Sequence, residues 1–347
     1  MQKKGSKYGT HRVLEPQGAL PQPAVRLDND FSQIYDNEIL CDVLTLNIDA
    51  ASFADIRERA GDDPQKVARM MIDIVNAYGK HQNPRTGSGG MFIGKVARIG
   101  DALKGEIDLR EGDRIASLVS LSLTPLRIDE ILAVHMHKDQ VDIRGQAVLF
   151  ETGVWAKLPE GLPERLVLAV LDVAGAPAQV DRLVKAGDTV AVIGARGKSG
   201  LLCCYQAKRK AGPRGRVIAI VHREEGKEDV ENAPFVDKVI VGNADRAPDL
   251  LEKIEQATEG RLCDIVINCV TQEDCEIGSI MIAKDFGKVY FFSMATSFTK
   301  AALGAEGIGK DVEMIIGNGY CAGHADLALD IMRRSTYLKD LFTKRYG

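Results

Sequence analysis

No run of eighteen apolar residues occurs anywhere in the 347-residue chain, so no segment reads as a membrane-spanning helix. Charge of one sign is not gathered into blocks either. The formal net charge is -4, with 45 lysines and arginines scattered among 49 acids, which gives no electrostatic footprint for nucleic acid. Cysteine is sparse: there are seven, none in a CxxC pair, too few and too irregular for a disulfide scaffold. Cys263, Cys269 and Cys275 stand six apart, a poor way to surround one tetrahedral metal. We read the cysteines as buried thiols of a reducing cytoplasm. The opening MQKKGSKYGTHRV is basic but leads into no apolar signal core, so export is not expected.

What is plentiful is apolar side chain and glycine. Hydrophobic residues make up 45% of the chain and glycines number 34, as expected of a globular protein in which short strands and helices alternate. The length allows two domains with real cores. Pro16, Pro21 and Pro23 predict an irregular lead-in to about residue 36. EILCDVLTLNIDA, from Glu38, then reads as a strand. Asp63-Pro64 is a helix start, and Val67, Met70, Met71, Ile74 and Val75 follow at helical spacing. From Gly87, the segments GGMFIGKVARIG, LREGDRIASLV, ILAVHMH and QAVLF predict short strands of a small, coiled or barrel-like β domain.

After Pro159 the rhythm becomes βαβ. Leu162 to Leu183 reads as helices with a break at Ala176-Pro177. TVAVI, a glycine turn, the helix LLCCYQA and the strand RVIAIV then form one unit. DKVIVG, CDIVINCV, GKVYFFSM and DVEMIIGNG are further strands, separated by the helices DLLEKIEQATEG and EIGSIMIAKDFG, the second ending at its glycine. Strands of continuous Val and Ile suit a parallel sheet covered on both faces. GHADLALDIMRRSTYLKDLF reads as a helix and a short return.

Gly194, Gly197 and Gly200 fall between the strand TVAVI and its helix. Without side chains there, the backbone turns tightly and a pyrophosphate can approach the amides at the helix start, with Arg196, Lys198 and Ser199 in the same turn. A triphosphate-hydrolysing loop is excluded, because the first glycine that its pattern needs before Lys198 is missing from the strand TVAVI. At the end of the second strand, His222 and Arg223 suit the extra phosphate of NADP, whereas Glu224 or Glu225 suits the ribose of NAD. Both cofactors stay open. Ligands in such sheets lie beyond the carboxyl ends of the strands, which brings in Asn243, Asn268, Cys269, Thr271, Ser293, Met294 and Thr296. Each polar one among them can equally bond its own backbone in a turn.

A β domain followed by a Rossmann domain with a GAxGxxG turn resembles the medium-chain dehydrogenase/reductase superfamily, the alcohol dehydrogenase-like proteins. NEILCDVLTLNI resembles the first strand of its GroES-like domain. GGMFIGKVARIGDALKGEIDLREGDRIAS resembles the glycine segment and the strand after it, and GARGKSG the quinone-reductase-like variant of the turn. The resemblance implies an α/β fold: a GroES-like β domain plus a Rossmann doubly wound parallel sheet. Residues 1–160, joined by residues 320–347, would form the GroES-like substrate domain, and residues 161–319 the dinucleotide domain. KKGSKYGTHRVLEPQGALPQPAVRLDN, VWAKLPEGLPERL and FFSMATSFTKAALGAEGIGKD resemble a narrower branch, which dehydrogenates a six-carbon 3,5-diamino acid in lysine fermentation. That implies a small amino-acid substrate, hydride transfer to NAD or NADP, release of ammonia, and a homodimer joined along DVEMIIGNG. The alcohol dehydrogenase zinc cysteine would match near Asp49 and its histidine near Gly90. Neither position carries that ligand, so no metal is expected.

No short motif names the base. His81 precedes the turn QNPRTGSGG; Glu151 and Thr152 follow QAVLF where the β domain gives way; Asp172 lies in LDVAGAP. His324 opens a helix, whose positive end favours the neutral imidazole. Arg12, grouped with His11 and Glu15, is expected to hold the substrate carboxylate bidentately. Each has a plainer reading as a loop residue, a helix cap or part of a docking arm. Two other functions fit the same residues: an NADPH-dependent quinone or enoyl reductase, and a nucleotide-binding homologue without turnover.

Overall fold

The computed structural model describes residues 4–159, 161–293, 295–317 and 319–346. The chain divides into two compact units, Met1–Gly161 and Leu162–Gly347.

In the first unit the lead-in carries a short antiparallel pair, β1 (Val13–Glu15) and β2 (Arg26–Leu27). There follow β3 (Glu38–Asn47), α1 (Ala50–Ala60), α2 (Pro64–Tyr78), β4 (Met91–Ile99), β5 (Arg114–Ser117), β6 (Leu126–His135), β7 (Gln140–Phe150) and β8 (Trp155–Lys157). The last six strands named, β3 to β8, form one antiparallel sheet in the order β6-β7-β3-β4-β5-β8. Asp63 caps α2 with Pro64 in its first turn, as the sequence predicts. α1 is an additional helix, capped by Asp49, whose carboxylate accepts the Ser52 N–H. Phe53 and Ile56 of α1 and Val67 and Met71 of α2 share a core with Ile39, Val43 and Phe92 of the sheet.

The second unit runs α3 (Glu164–Leu171), α4 (Gly175–Leu183), β9 (Thr189–Ile193), α5 (Lys198–Ala211), β10 (Arg216–Val221), α6 (Glu228–Glu231), β11 (Lys238–Val241) and α7 (Ala247–Thr258). It continues with β12 (Cys263–Asn268), α8 (Glu276–Met281), β13 (Ala283–Phe291), α9 (Phe298–Ile308), β14 (Glu313–Ile316), α10 (His324–Arg334) and α11 (Thr336–Tyr346). Its six strands are all parallel, in the order β11-β10-β9-β12-β13-β14. The order reverses between β9 and β12, the switch point at which such sheets bind ligands. Alternation along β9 builds both layers. Val190 and Val192 enter a core with α5, α10 and α11, while Ala191 and Ile193 enter the opposite one with α7 and α8.

Three expectations change. The helix break falls at residues 172–174, and Pro177 sits in the first turn of α4, where a missing N–H costs no helical bond. EIGSIMIAKDFG is not one helix: α8 stops at Met281 and β13 begins at Ala283. The apolar stripe ends at Ile282, after which Lys284, Asp285 and Phe286 are exposed. The third concerns residues 320–347, which do not join the first unit. α10 packs on α3, α4 and α5, and the tail forms a second helix, α11, packed on α3 and α10. The cause is apolar: Ala328, Ile331, Met332, Leu338 and Phe342 are fully buried in the second unit's core.

Candidate active site

The glycine turn is shaped by close approaches. Gly194 has φ +80, and a Cβ there would lie 2.7 Å from Val270 Cγ1 at the end of β12. A Cβ on Gly200, in the first turn of α5, would lie 2.2 Å from the Gly194 carbonyl oxygen, so only glycine lets helix and strand cross this closely. Gly197 is different, since nothing comes nearer than 3.4 Å to the same added atom. Its bareness leaves room on the outer side of the turn.

That side is a cavity of about 660 Å³, within the range of small-molecule sites. Gly194, Arg196 and Gly197 form its floor, His222 and Arg223 one wall, and Asn243, Cys269 and Thr271 line it from the strand ends. Six other residues of the expected set are not among its lining. The Lys198 ammonium pairs with Asp172 Oδ2 at 2.5 Å, which also occupies that candidate base. Ser199 is buried, and Gly200 lies at the helix crossing. Asn268 is 2% exposed; its Nδ2 donates to Ser279 Oγ and its Oδ1 accepts the Val270 N–H, so it shapes the strand end. Ser293 Oγ accepts the Ala295 N–H, and the Thr296 N–H donates to the Ser293 carbonyl, which is the turn-forming alternative. Met294 lies outside the described residues.

The lining residues missed by sequence reasoning include Arg345 and Tyr346 of α11. No sequence signal marks them, because the contact spans 149 residues. Arg345 Nη1 donates to the Arg196 carbonyl at 2.8 Å and Nη2 to Asp229 Oδ2 at 2.5 Å. Burial would raise the Asp229 pKa, but the bond from Arg345 and the nearby Arg196 outweigh it and hold the carboxyl below its ordinary value.

In the first unit His81 is fully buried, and neither ring nitrogen has a hydrogen-bond partner. Burial pulls its pKa down to about 4, against the opposing pull of Asp49 and of the Gly89 backbone. Asp49 spends Oδ1 on capping α1 and leaves Oδ2 buried and unpartnered. Glu151 accepts from Asn37 Nδ2 at 3.0 Å, and Thr152 donates to the Lys7 carbonyl; both tie down the lead-in. Arg12 is 1% exposed, and its five N–H bonds go to Glu38, Asp28 and the carbonyls of Asp30 and Gln33. No donor remains for a substrate carboxylate, so that expectation fails. In the second unit His324 is buried at the start of α10, edge-on to the Tyr320 ring, and burial lowers its pKa.

An antiparallel-sheet unit followed by a six-stranded parallel sheet with a glycine turn at its switch point is the fold of the alcohol dehydrogenase-like, medium-chain proteins. Solved structures agree on the fold. An alcohol dehydrogenase from Thermotoga maritima matches with TM-score 0.55 and 18% identity, over 91% of this chain and 86% of that one. A mycobacterial protein, Rv1454c, solved with NADPH, matches with TM-score 0.56 and 17% identity, over 88% and 84%. Sequence relatives are far nearer. The chain is 55% identical over 343 residues to the L-erythro-3,5-diaminohexanoate dehydrogenase of Acetoanaerobium sticklandii, and 52% identical over 344 residues to that of Fusobacterium nucleatum, covering 99% of each chain in both cases. A family model of the L-erythro-3,5-diaminohexanoate dehydrogenase N-terminal domain matches residues 11–159. The chain belongs to the L-erythro-3,5-diaminohexanoate dehydrogenase family.

Proposed function

We propose that this chain catalyses NAD(P)-dependent oxidative deamination of L-erythro-3,5-diaminohexanoate, giving 5-amino-3-oxohexanoate and ammonia, in lysine fermentation. The observation that carries the reading is 55% identity along 99% of the chain to a dehydrogenase of that name. The cavity over the glycine turn fits the cofactor: Gly194 and Gly197 present bare backbone to it, and its volume suits a small molecule. When bound, the nicotinamide supplies the acceptor for the hydride leaving the amine-bearing carbon.

The chain's own part begins with a proton. An ammonium cannot lose hydride from its carbon until it becomes an amine, so a neutral base is needed. We assign that role to His81 on its geometry: both ring nitrogens are buried without partners, and so is Asp49 Oδ2. The Asp49 carboxylate favours the imidazolium that forms. We read the reaction as metal-free, since the carbon–nitrogen unit that develops is already positive and needs no Lewis acid. About one zinc per chain, bound tightly enough to survive dialysis against a chelator, would overturn that. A homodimer is also part of the reading, supported by the exposed edge strand β14.

The test is absorbance at about 340 nm with 3,5-diaminohexanoate and NAD or NADP in separate reactions, with ammonia measured alongside. Equimolar reduced cofactor and ammonia are expected, and the faster reaction identifies the cofactor. Binding of either cofactor without turnover would instead favour a reductase or a nucleotide-binding homologue.

A further inference from the structure

We propose that the end of α11 is part of the dinucleotide site, with Tyr346 as its outer wall and Arg345 as a positioning residue that locks the glycine turn in its binding conformation. This rests on the reading of the cavity as the cofactor's. Leu338, Phe342 and Arg345 follow one another at helical spacing on a single face of α11. The first two are 0% exposed in the core beside β9 and α5. The Tyr337 hydroxyl adds a bond to the Asp229 carbonyl at 3.0 Å. The face that anchors the helix therefore delivers the Arg345 guanidinium to the turn.

What it grips matters for the chemistry. The Arg196 carbonyl accepts from Arg345 at 2.8 Å, and the N–H of the same peptide unit, on Gly197, donates to the Gly194 carbonyl at 3.0 Å. A planar unit held at both ends cannot rotate. The next N–H groups, of Lys198, Ser199 and Gly200, open α5 without intrahelical acceptors, the arrangement that receives a pyrophosphate. Charge is arranged to match. Asp229 serves two arginines, Arg345 at 2.5 Å and Arg196 at 3.5 Å, so a cationic excess stays beside the turn. The Arg196 guanidinium lies over Gly226, where an added Cβ would come within 2.2 Å of its Cζ. On the other side, Tyr346 lines the cavity and its ring has the Lys198 ammonium 5.9 Å from its centroid.

The experiment uses the full chain with Arg345→Ala, Arg345→Lys and Tyr346→Ala. Binding of NADH and NADPH is measured by calorimetry, and hydrogen exchange is followed at residues 194–200. Arg345→Ala is expected to raise the cofactor Kd about tenfold, to speed exchange in the turn, and to raise KM for cofactor without raising it for the amine. Arg345→Lys, a point charge without the fork, should recover only part of this. Tyr346→Ala should weaken binding roughly threefold with the turn still protected. Unchanged Kd and unchanged protection in Arg345→Ala would overturn the proposal. If that variant does not fold, the same two readings in Arg345→Lys decide. Failure of the unaltered chain to bind either dinucleotide would sink the reading of the cavity instead, and turn exchange in Arg345→Ala would still report whether the lock exists.

Discussion

Arg12 and Glu38 meet in a two-pronged ion pair, Nε to Oε1 and Nη2 to Oε2, each 2.8 Å long, with both side chains shut off from solvent. His11 Nε2 lies 2.8 Å from Oε1, and the Tyr35 N–H donates to Oε2. This cluster fastens the lead-in to the start of β3. Removing one partner would leave the other charge buried and alone, so Arg12→Ala is expected to cost roughly 3–5 kcal/mol of stability by denaturant unfolding. Any folded fraction should keep its KM for the amine; a raised KM with unchanged stability would restore Arg12 as a substrate ligand.

The same pair sets an acid limit. Burial would raise the Glu38 pKa, but the bonds from Arg12, His11 and the Tyr35 backbone prevail and bring it from 4.5 to about 2. A lowered carboxyl pKa gives stability that is full above about pH 4.5 and is lost as pH falls toward 2. Glu38→Gln should flatten this window in urea titrations at stepped pH. An unaltered slope there would mean that the carboxylate is not held as described.

His81 acts in a higher window. Its folded pKa of about 4 lies below the ordinary 6.5, so the unfolded chain takes up its proton first and stability falls from about pH 6.5 to pH 4. His81→Gln should remove that fall while dropping kcat by about a hundredfold or more, the usual scale for a lost general base. Full activity in a folded His81→Gln protein would dismiss it as the base.

The glycine turn separates packing from binding. Gly200→Ala places a methyl group 2.2 Å from the Gly194 oxygen, which should displace the turn, cost about 1–3 kcal/mol and weaken cofactor binding. Gly197→Ala meets nothing nearer than 3.4 Å. Its melting temperature should hold while the cofactor Kd rises about tenfold, because the methyl group lies on the cavity floor. Equal melting and equal affinity in both variants would show that the turn does not carry the cofactor.

What could be read from the sequence follows from how local the cause is. The strand–turn–helix at 189–211 was legible because its apolar run and glycines are contiguous, and α2 because Asp63-Pro64 is a two-residue signal. Pro177 misled because a proline in a first turn and a proline at a break look alike in sequence. Arg12 misled for a deeper reason: a guanidinium that saturates itself on a buried carboxylate has the same spelling as one kept for a ligand. Arg345 was illegible, since its grip on Arg196 exists only once α11 has packed on the second unit.

The edge of the parallel sheet carries the last prediction. β14 pairs with β13 on one side, and among the described residues no strand lies on its other side. Ile316 is 63% exposed, and nearby in sequence Leu303 is 62% and Phe298 70% exposed. An apolar, unpaired edge in water is an invitation to another copy, which adds backbone bonds and buries those side chains together. In the homodimer proposed above, Ile316→Lys should therefore shift the protein toward monomer in sedimentation at micromolar concentration, because two copies related by a two-fold axis would bring the new charges close. A dimer that survives the substitution would place the contact on another surface, and a monomer before it would remove the contact altogether.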